Sequence, residues 1–231
     1  MDDATRQRAL DFVKGIGLAA DHPGAGKDTA FAALVQANPN TEFVNIKFAD
    51  ALTAEVRALF PRVSDEEFTE IRNDPKFKDL PLWMFAIHNI ARTEQGMEYV
   101  AFLKERHPEL IRQRLSIRQH LLIYGTEYVR EFKGDEDRWL NLGVQAADKA
   151  AAAGLVPVIT DVRFPNEAKK LKQAGYDIAH IAADGLANAA LSALTGIAEG
   201  HLKDWDFDLR VKNVWGKPEN MGVQFNAKYR W

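Results

Sequence analysis

Short apolar runs alternate with longer amphipathic stretches along most of this chain, the pattern of buried strands separated by helices. Residues 13–20 read as a buried strand, and residues 29–35 as the first turns of an apolar helix closed by Asn38-Pro39-Asn40. Residues 42–48 alternate as a strand does, and Asp50-Ala51-Leu52-Thr53 begins another helix. The strongest later strand, residues 155–160, follows an Ala-rich helix at 140–153. A helix at 168–173, stopped by Gly175, then leads into a strand at 176–181. Helices that alternate with buried strands predict an α/β fold whose parallel sheet is covered on both faces.

Elsewhere the pattern is less regular. Residues 1–12 form a polar lead-in with helical character, and residues 64–77 turn polar and acidic before Pro75 and Pro81 bracket an irregular patch. Residues 80–107 read as a mostly helical insertion in which Trp83, Met84, Phe85, Tyr99 and Phe102 pack a core. Ser116, with Gln119 three residues on, predicts a capping box for a helix carrying Leu121, Leu122 and Tyr124 toward Gly125. The aromatics Trp205, Phe207, Trp215, Phe225, Tyr229 and Trp231 belong either to a last strand with a packed tail or to a dimer surface.

Composition narrows the class. With 231 residues, 46% hydrophobic and 27% charged, the chain is long enough for one α/β domain with insertions. A net charge of −3 argues against a generally basic nucleic-acid surface but leaves a local anion site open. No run approaches the length of a membrane span; residues 185–198 are apolar but too short. The opening Met1-Asp2-Asp3-Ala4 lacks the pattern of a secretory signal, and the absence of cysteine removes disulfide and thiolate chemistry, so the expected location is the cytoplasm.

Candidate chemistry begins at Pro23-Gly24-Ala25-Gly26-Lys27-Asp28-Thr29-Ala30, between the first strand and the first helix. Backbone N–H groups of such a loop converge on phosphate oxygens, the helix N-terminus adds positive potential, and a Lys contributes a full charge at the β/γ-phosphates. A nucleoside triphosphate, ATP, is the expected ligand, bound by Gly24, Ala25, Gly26, Lys27, Asp28 and Thr29. Against the pattern G-x-x-x-x-G-K-[ST], Asp21 replaces the first Gly and Asp28 the Ser/Thr, with a hydroxyl only at Thr29. The competing reading is a Gly-rich turn with a solvated lysine.

Ligands of a parallel sheet gather at the carboxyl ends of its strands, which points to Asp50, Asp161 and Arg163. Asp161 ends its strand as a magnesium-associated carboxylate would, and Arg163 presents a fork suited to phosphate. The alternative for this pair is a surface ion pair with a helix cap. Arg118 and Arg130 flank Tyr124-Gly125-Thr126-Glu127, a Gly-Thr turn able to seat an anionic substrate, within a stretch of otherwise solvated charge. The histidines at 22, 88, 107, 120, 180 and 201 lack metal-ligand spacing and read as structural or exposed. No G-x-S-x-G elbow supports a serine nucleophile.

Taken in order, Gly26-Lys27-Asp28-Thr29, Phe48-Ala49-Asp50-Ala51-Leu52, the run from Arg118 through Gly125-Thr126-Glu127 to Trp139, and Asp161-Val162-Arg163-Phe164-Pro165-Asn166-Glu167 resemble the deoxynucleoside monophosphate kinases of tailed bacteriophages. The resemblance covers roughly residues 13–183. It implies an adenylate-kinase-like P-loop NTPase fold: one three-layer domain over 1–231, with a helical substrate-binding insertion at about 54–135 and a lid-like segment at about 182–204. The implied activity moves the γ-phosphoryl of ATP to a deoxynucleoside monophosphate in the host cytoplasm, with Mg²⁺ held through Asp28, Thr29 and Asp161. Lys27, Arg163 and Asp161 are the implied catalytic residues, and Asp50, Thr53, Arg118, Thr126, Arg130, Trp139 and Arg163 the substrate side. ATP and the dNMP are the implied partners, without nucleic acid or membrane, and a homodimer is implied as well. The chain departs from the family at Thr53, where a Lys is usual, and at Ala182-Ala183-Asp184, where a basic lid residue is usual. Arg163, Arg130, Lys203 and Arg210 are the candidate replacements. Phosphorylation of another small metabolite of the dephospho-coenzyme A type, and non-catalytic nucleotide binding in an assembly, are the rival functions.

Overall fold

The computed structural model describes residues 11–22, 24–183 and 202–231. Its elements in chain order are β1 (Asp11–Phe12), β2 (Ile16–Ala19), α1 (Lys27–Ala37), β3 (Phe43–Ile46), α2 (Phe48–Ala58), α3 (Asp65–Asn73), α4 (Glu94–Arg106), α5 (Ile117–Leu122), a π-helix (Ile123–Phe132), α6 (Arg138–Ala152), β4 (Val156–Ile159), α7 (Pro165–Gln173), β5 (Asp177–Ala183), β6 (Leu209–Asn213), α8 (Glu219–Asn226) and β7 (Tyr229–Arg230). They form two compact units, Met1–Phe48 with Leu142–Trp231, and Ala49–Asn141. The expected insertion at 54–135 falls inside the second unit. Most of the expected lid segment, residues 184–201, lies outside the described residues, as do residues 1–10 of the lead-in.

The first unit is a three-layer α/β arrangement around a five-stranded sheet of order β3-β4-β2-β5-β6. Every neighbouring pair in it is parallel. Central β2 is buried along its whole length, because a strand covered on both faces must be apolar at every position rather than at alternate ones. Ile16 and Leu18 of β2, Val158, Ile181 and Val211 from the other strands, and Ala30, Leu34, Met221 and Phe225 from α1 and α8 form one core. The edge strand β6 alternates instead, with Val211 buried and Arg210 and Lys212 exposed. Gln224 of α8 closes on its backbone, accepting from Lys212 N–H at 2.9 Å and donating to Lys212 O at 3.0 Å, which covers part of an otherwise open sheet edge. Residues 11–12, read from sequence as the end of a helical lead-in, instead pair as β1 with β7 in a separate two-stranded sheet. The chain leaves this unit at Phe48 and returns at Leu142. There Gly143 lies so close to Phe48 that a Cβ would fall 2.4 Å from its ring.

The second unit is helical and rich in aromatic rings. Phe85, Tyr99 and Phe102 are buried as expected, whereas Trp83 is 62% exposed and belongs to the surface. Residues 64–77, read as polar and acidic, contain α3. Ser64 caps it by accepting Glu67 N–H at 3.1 Å, its first turn is acidic, and Phe68 anchors it in the core. The Ser116–Gln119 capping box forms in both directions, with bonds of 3.1 and 2.8 Å. The helix it opens does not stop at Gly125; it widens into the π-helix, where Lys133 N–H reaches Tyr128 O at 2.9 Å.

Candidate functional site

β2 sits at the point where the connections of the sheet change direction: the chain runs from it toward β3 on one side, and from β5 toward β6 on the other. A crevice opens at the carboxyl ends of the strands at such a point, and the segment that follows β2 is the one expected from sequence to be a phosphate loop. Gly24 and Gly26 hold φ of 75° and 97°, a left-handed backbone that turns consecutive N–H groups to one side. Gly26 is the N-cap of α1 and carries no side-chain cap, so the helix presents its first N–H groups and its positive end at the loop. Lys27, in the first turn, is half-buried, while Asp28 and Thr29 are exposed.

Three neighbours pin this loop. Asn213, the last residue of β6, donates from its side-chain amide to Ala25 O at 2.9 Å. It approaches so closely that a Cβ on Gly26 would meet its Nδ2 at 2.3 Å, so a side chain at residue 26 would displace the Asn213 amide, and the φ of 97° favours glycine there as well. His180 on β5, 4% exposed, places Nε2 3.2 Å from Asp21 Oδ2. Asp21 is the residue that stands where the motif has its first Gly; here it ties the start of the loop to the adjacent strand. Lys47, just after β3, pairs with Asp28 at 3.0 Å. Asp28 therefore carries a lysine partner as well as its expected place beside a metal.

Asp161 and Arg163 follow β4, which pairs directly with β2. Asp161 Oδ1 accepts Phe48 N–H at 2.9 Å, the first residue of α2, so the helix-cap reading of this carboxylate holds. The Glu167 carboxylate, buried, accepts the N–H groups of Arg163 at 2.7 Å and Phe164 at 3.1 Å, which fixes the backbone from which the Arg163 side chain projects. The first unit thus gathers Gly24 to Thr29, Asp161 and Arg163.

No protein-family model and no curated protein matches the chain. Among solved structures it is similar to one described as the crystal structure of TT1252 from Thermus thermophilus, at 14% identity and a TM-score of 0.44, over 94% of this chain and 97% of that one.

The expected substrate residues Asp50, Thr53, Arg118, Thr126, Arg130 and Trp139 all lie in the second unit. Asp50 and Thr126 are exposed. Thr53 Oγ1 donates back to Ala49 O at 2.7 Å within α2. Arg118 is exposed and pairs with Asp79 at 3.3 Å. Arg130 is half-buried, with Nε shielded from solvent. Trp139, expected on the substrate side, is 3% exposed and donates its indole N–H to Gly125 O at 3.2 Å, so its rings are part of the interior. Among the candidate lid replacements, Lys203 is exposed, and Arg210 lies 4.9 Å from the Phe207 ring.

A cavity of about 590 Å³ in the second unit is lined by none of those residues. Glu55 is its hub. One oxygen takes bonds from Arg138 Nε and Nη2 at 2.9 and 2.7 Å, and the other accepts Tyr124 OH at 2.9 Å and Gln95 Nε2 at 3.2 Å. Gln95 also donates to the Tyr124 oxygen. Burial pushes the Tyr124 phenol well above its ordinary value, which keeps it a donor to Glu55. On the same wall, hydrogen bonds from Lys133 and Tyr128 hold the Glu98 carboxyl below its ordinary value. Both cations of the cavity, Lys133 and Arg138, are paired with its carboxylates. Among the described residues no helix is long and apolar enough to cross a membrane, and no group of three or more His, Cys, Asp or Glu side chains is arranged to hold a metal ion.

Proposed function

We propose that this chain is a P-loop phosphotransferase that transfers the γ-phosphoryl group of ATP to a deoxynucleoside monophosphate. The observation that carries this reading is the uncapped N-terminus of α1 behind a Gly24–Gly26 turn of left-handed backbone, with Lys27 in the first turn. That arrangement suits a polyphosphate: backbone N–H groups and the helix dipole take the oxygens, and Lys27 adds a full charge. A divalent cation would be held beside it by the Thr29 hydroxyl, Asp28 and Asp161, and would neutralise charge on the transferring group. Because Asp28 is paired with Lys47 and Asp161 caps α2, these carboxylates would act on cation-bound waters more readily than as direct ligands.

An acceptor that is already a phosphate needs no strong base. The residues therefore contribute positioning and charge rather than proton abstraction. Lys27 would hold the β/γ-phosphates; Arg163, on a backbone fixed by Glu167, would meet charge developing on the transferred group; and Arg118 and Arg130 would hold the acceptor phosphate. The exposed Arg118 exchanges a weak surface pairing with Asp79 for a phosphate at little cost.

The test is ADP release by the purified protein with ATP and Mg²⁺ against a panel of dNMPs, ribonucleotides and dephospho-coenzyme A. Turnover is expected with at least one dNMP, and Lys27→Ala is expected to lower it roughly 100-fold or more, as loss of a charge-stabilising donor does. Unchanged turnover in Lys27→Ala would overturn the assignment. Turnover with dephospho-coenzyme A alone, or binding without turnover, would transfer it to one of the rival functions.

A further inference from the structure

We propose that Lys47 is the second cation of the phosphate site, its ammonium meeting the terminal phosphate and so favouring a triphosphate over a diphosphate. This rests on the phosphate-loop reading above. Lys47 follows β3 at the carboxyl end of the sheet, and its Nζ lies 3.0 Å from Asp28 Oδ1. Asp28 is the second residue of α1, so its own N–H belongs to the first turn, whose donors have no partner within the helix. The first N–H to find one is that of Ala30, which bonds Gly26 O at 2.7 Å. The ammonium is therefore one ion pair and one aspartate side chain away from the N–H groups that would take phosphate oxygens.

The backbone at Lys47 is held from β4 on both sides. Thr160 N–H bonds Ile46 O at 3.1 Å before it, and Asp161 Oδ1 accepts Phe48 N–H at 2.9 Å after it. The Thr160 hydroxyl adds a bond to Asn45 Oδ1 at 2.8 Å. Lys47 thus touches Asp28 through its side chain and Asp161 through the residue that follows it, the two carboxylates assigned above to the cation on the transferring group. It stands on the β4 and β3 side of the loop, as Arg163 does. Lys27 and the helix N–H groups occupy the loop itself, so a charge placed outside it on this side meets the end of the phosphate chain rather than its middle. The Asp28 side chain is 75% exposed, so the present ion pair is screened by water and gives way easily. An ammonium carries three N–H donors, and can keep the carboxylate while donating a charge-assisted bond to a phosphate oxygen.

The full chain, Lys47→Met, Asp28→Asn and the double variant are to be titrated with ATP and with ADP by calorimetry in EDTA, so that no divalent cation enters the comparison. A thermal melt and far-UV spectrum check each fold, and Lys47→Gln replaces the methionine variant if that one does not fold. Expected is an ATP affinity about 10- to 100-fold weaker in Lys47→Met, with ADP affinity unchanged within about threefold. The same loss of ATP affinity is expected when Lys47→Met is made in the Asp28→Asn background. ATP affinity equal to that of the natural chain, or equal weakening of ATP and ADP, overturns the assignment. So does disappearance of the loss in the Asp28→Asn background, because Lys47 would then serve only to neutralise Asp28. A natural chain that binds neither nucleotide overturns the phosphate-loop reading instead, and the role of Lys47 falls with it.

Discussion

Asn213 holds the loop before α1 from a distance in sequence: it satisfies the carbonyl of Ala25, a residue 3% exposed, from the end of a strand 188 positions away. Removing it leaves a shielded carbonyl without its donor, at a cost of about 1 to 3 kcal/mol. Asn213→Ala is therefore expected to lower the thermal midpoint and to weaken tripolyphosphate binding. A variant with the natural midpoint and affinity would show that the loop holds itself. Lys27 and its glycines were legible in the sequence because the motif is local, each residue defined by its neighbours. Asn213, His180 and Lys47 were not, because their roles depend on which strands the sheet brings next to β2. His180 reads from sequence as structural or exposed; it is buried, and the carboxylate it meets is the Asp21 that breaks the motif. Trp139 is buried although its motif sets it on the substrate side, because an aromatic in a matching motif says nothing by itself about which of its faces is covered.

Among the elements, α5 and the π-helix after it show where periodicity ceases to decide. The capping box could be read because two residues three apart carry all of it. The change of winding could not, because rows of residues four apart, such as Tyr124, Tyr128 and Phe132, share a face in either kind of helix. Inside α5, His120 is fully buried; its Nε2–H donates to Phe85 O at 2.7 Å, and Nδ1 faces Tyr99 OH at 3.4 Å. Burial lowers its pKa to about 4, against the opposing effect of the Phe85 bond. Below the unfolded-chain value of about 6.5, the unfolded state takes up a proton that the folded state refuses, so stability falls as pH drops from about 6.5 to about 4. The full loss is about 3 kcal/mol by that linkage. His120→Gln, which keeps a donor and an acceptor but does not titrate, is expected to flatten this part of the stability profile. Urea midpoints at pH 7 and pH 4.5 measure it, and an unchanged slope in the variant would place the acid sensitivity elsewhere. α3 escaped the sequence reading because its polar composition masked a Ser-x-x-Glu start and a single buried Phe.

On the scale of the whole chain, the parallel sheet was the most legible feature, since buried central strands must be apolar at nearly every position: β2 and β4 are so throughout, and β5 is so except at Asp177 and His180. The edge strand β6 and the short β1–β7 pair were not, because edge strands alternate and two-residue pairings leave almost no pattern. The meeting of Phe48 with Gly143 has a consequence for how such a chain can change. Everything from Ala49 to Asn141 is, for the sheet, one large closed loop whose two ends the sheet itself holds together. The entropy of closing a loop grows only with the logarithm of its length, so a short Gly/Ser bridge in its place would ask no more of the sheet than the natural segment does. A chain shortened in this way is expected to melt cooperatively and to keep its affinity for tripolyphosphate, measured by calorimetry, while losing turnover with any dNMP. Loss of the cooperative melt would show that the two units stand or fall together. If the sheet survives, residues 49–141 are a cassette: they can be lengthened, replaced or lost in one step without disturbing the residues of the first unit.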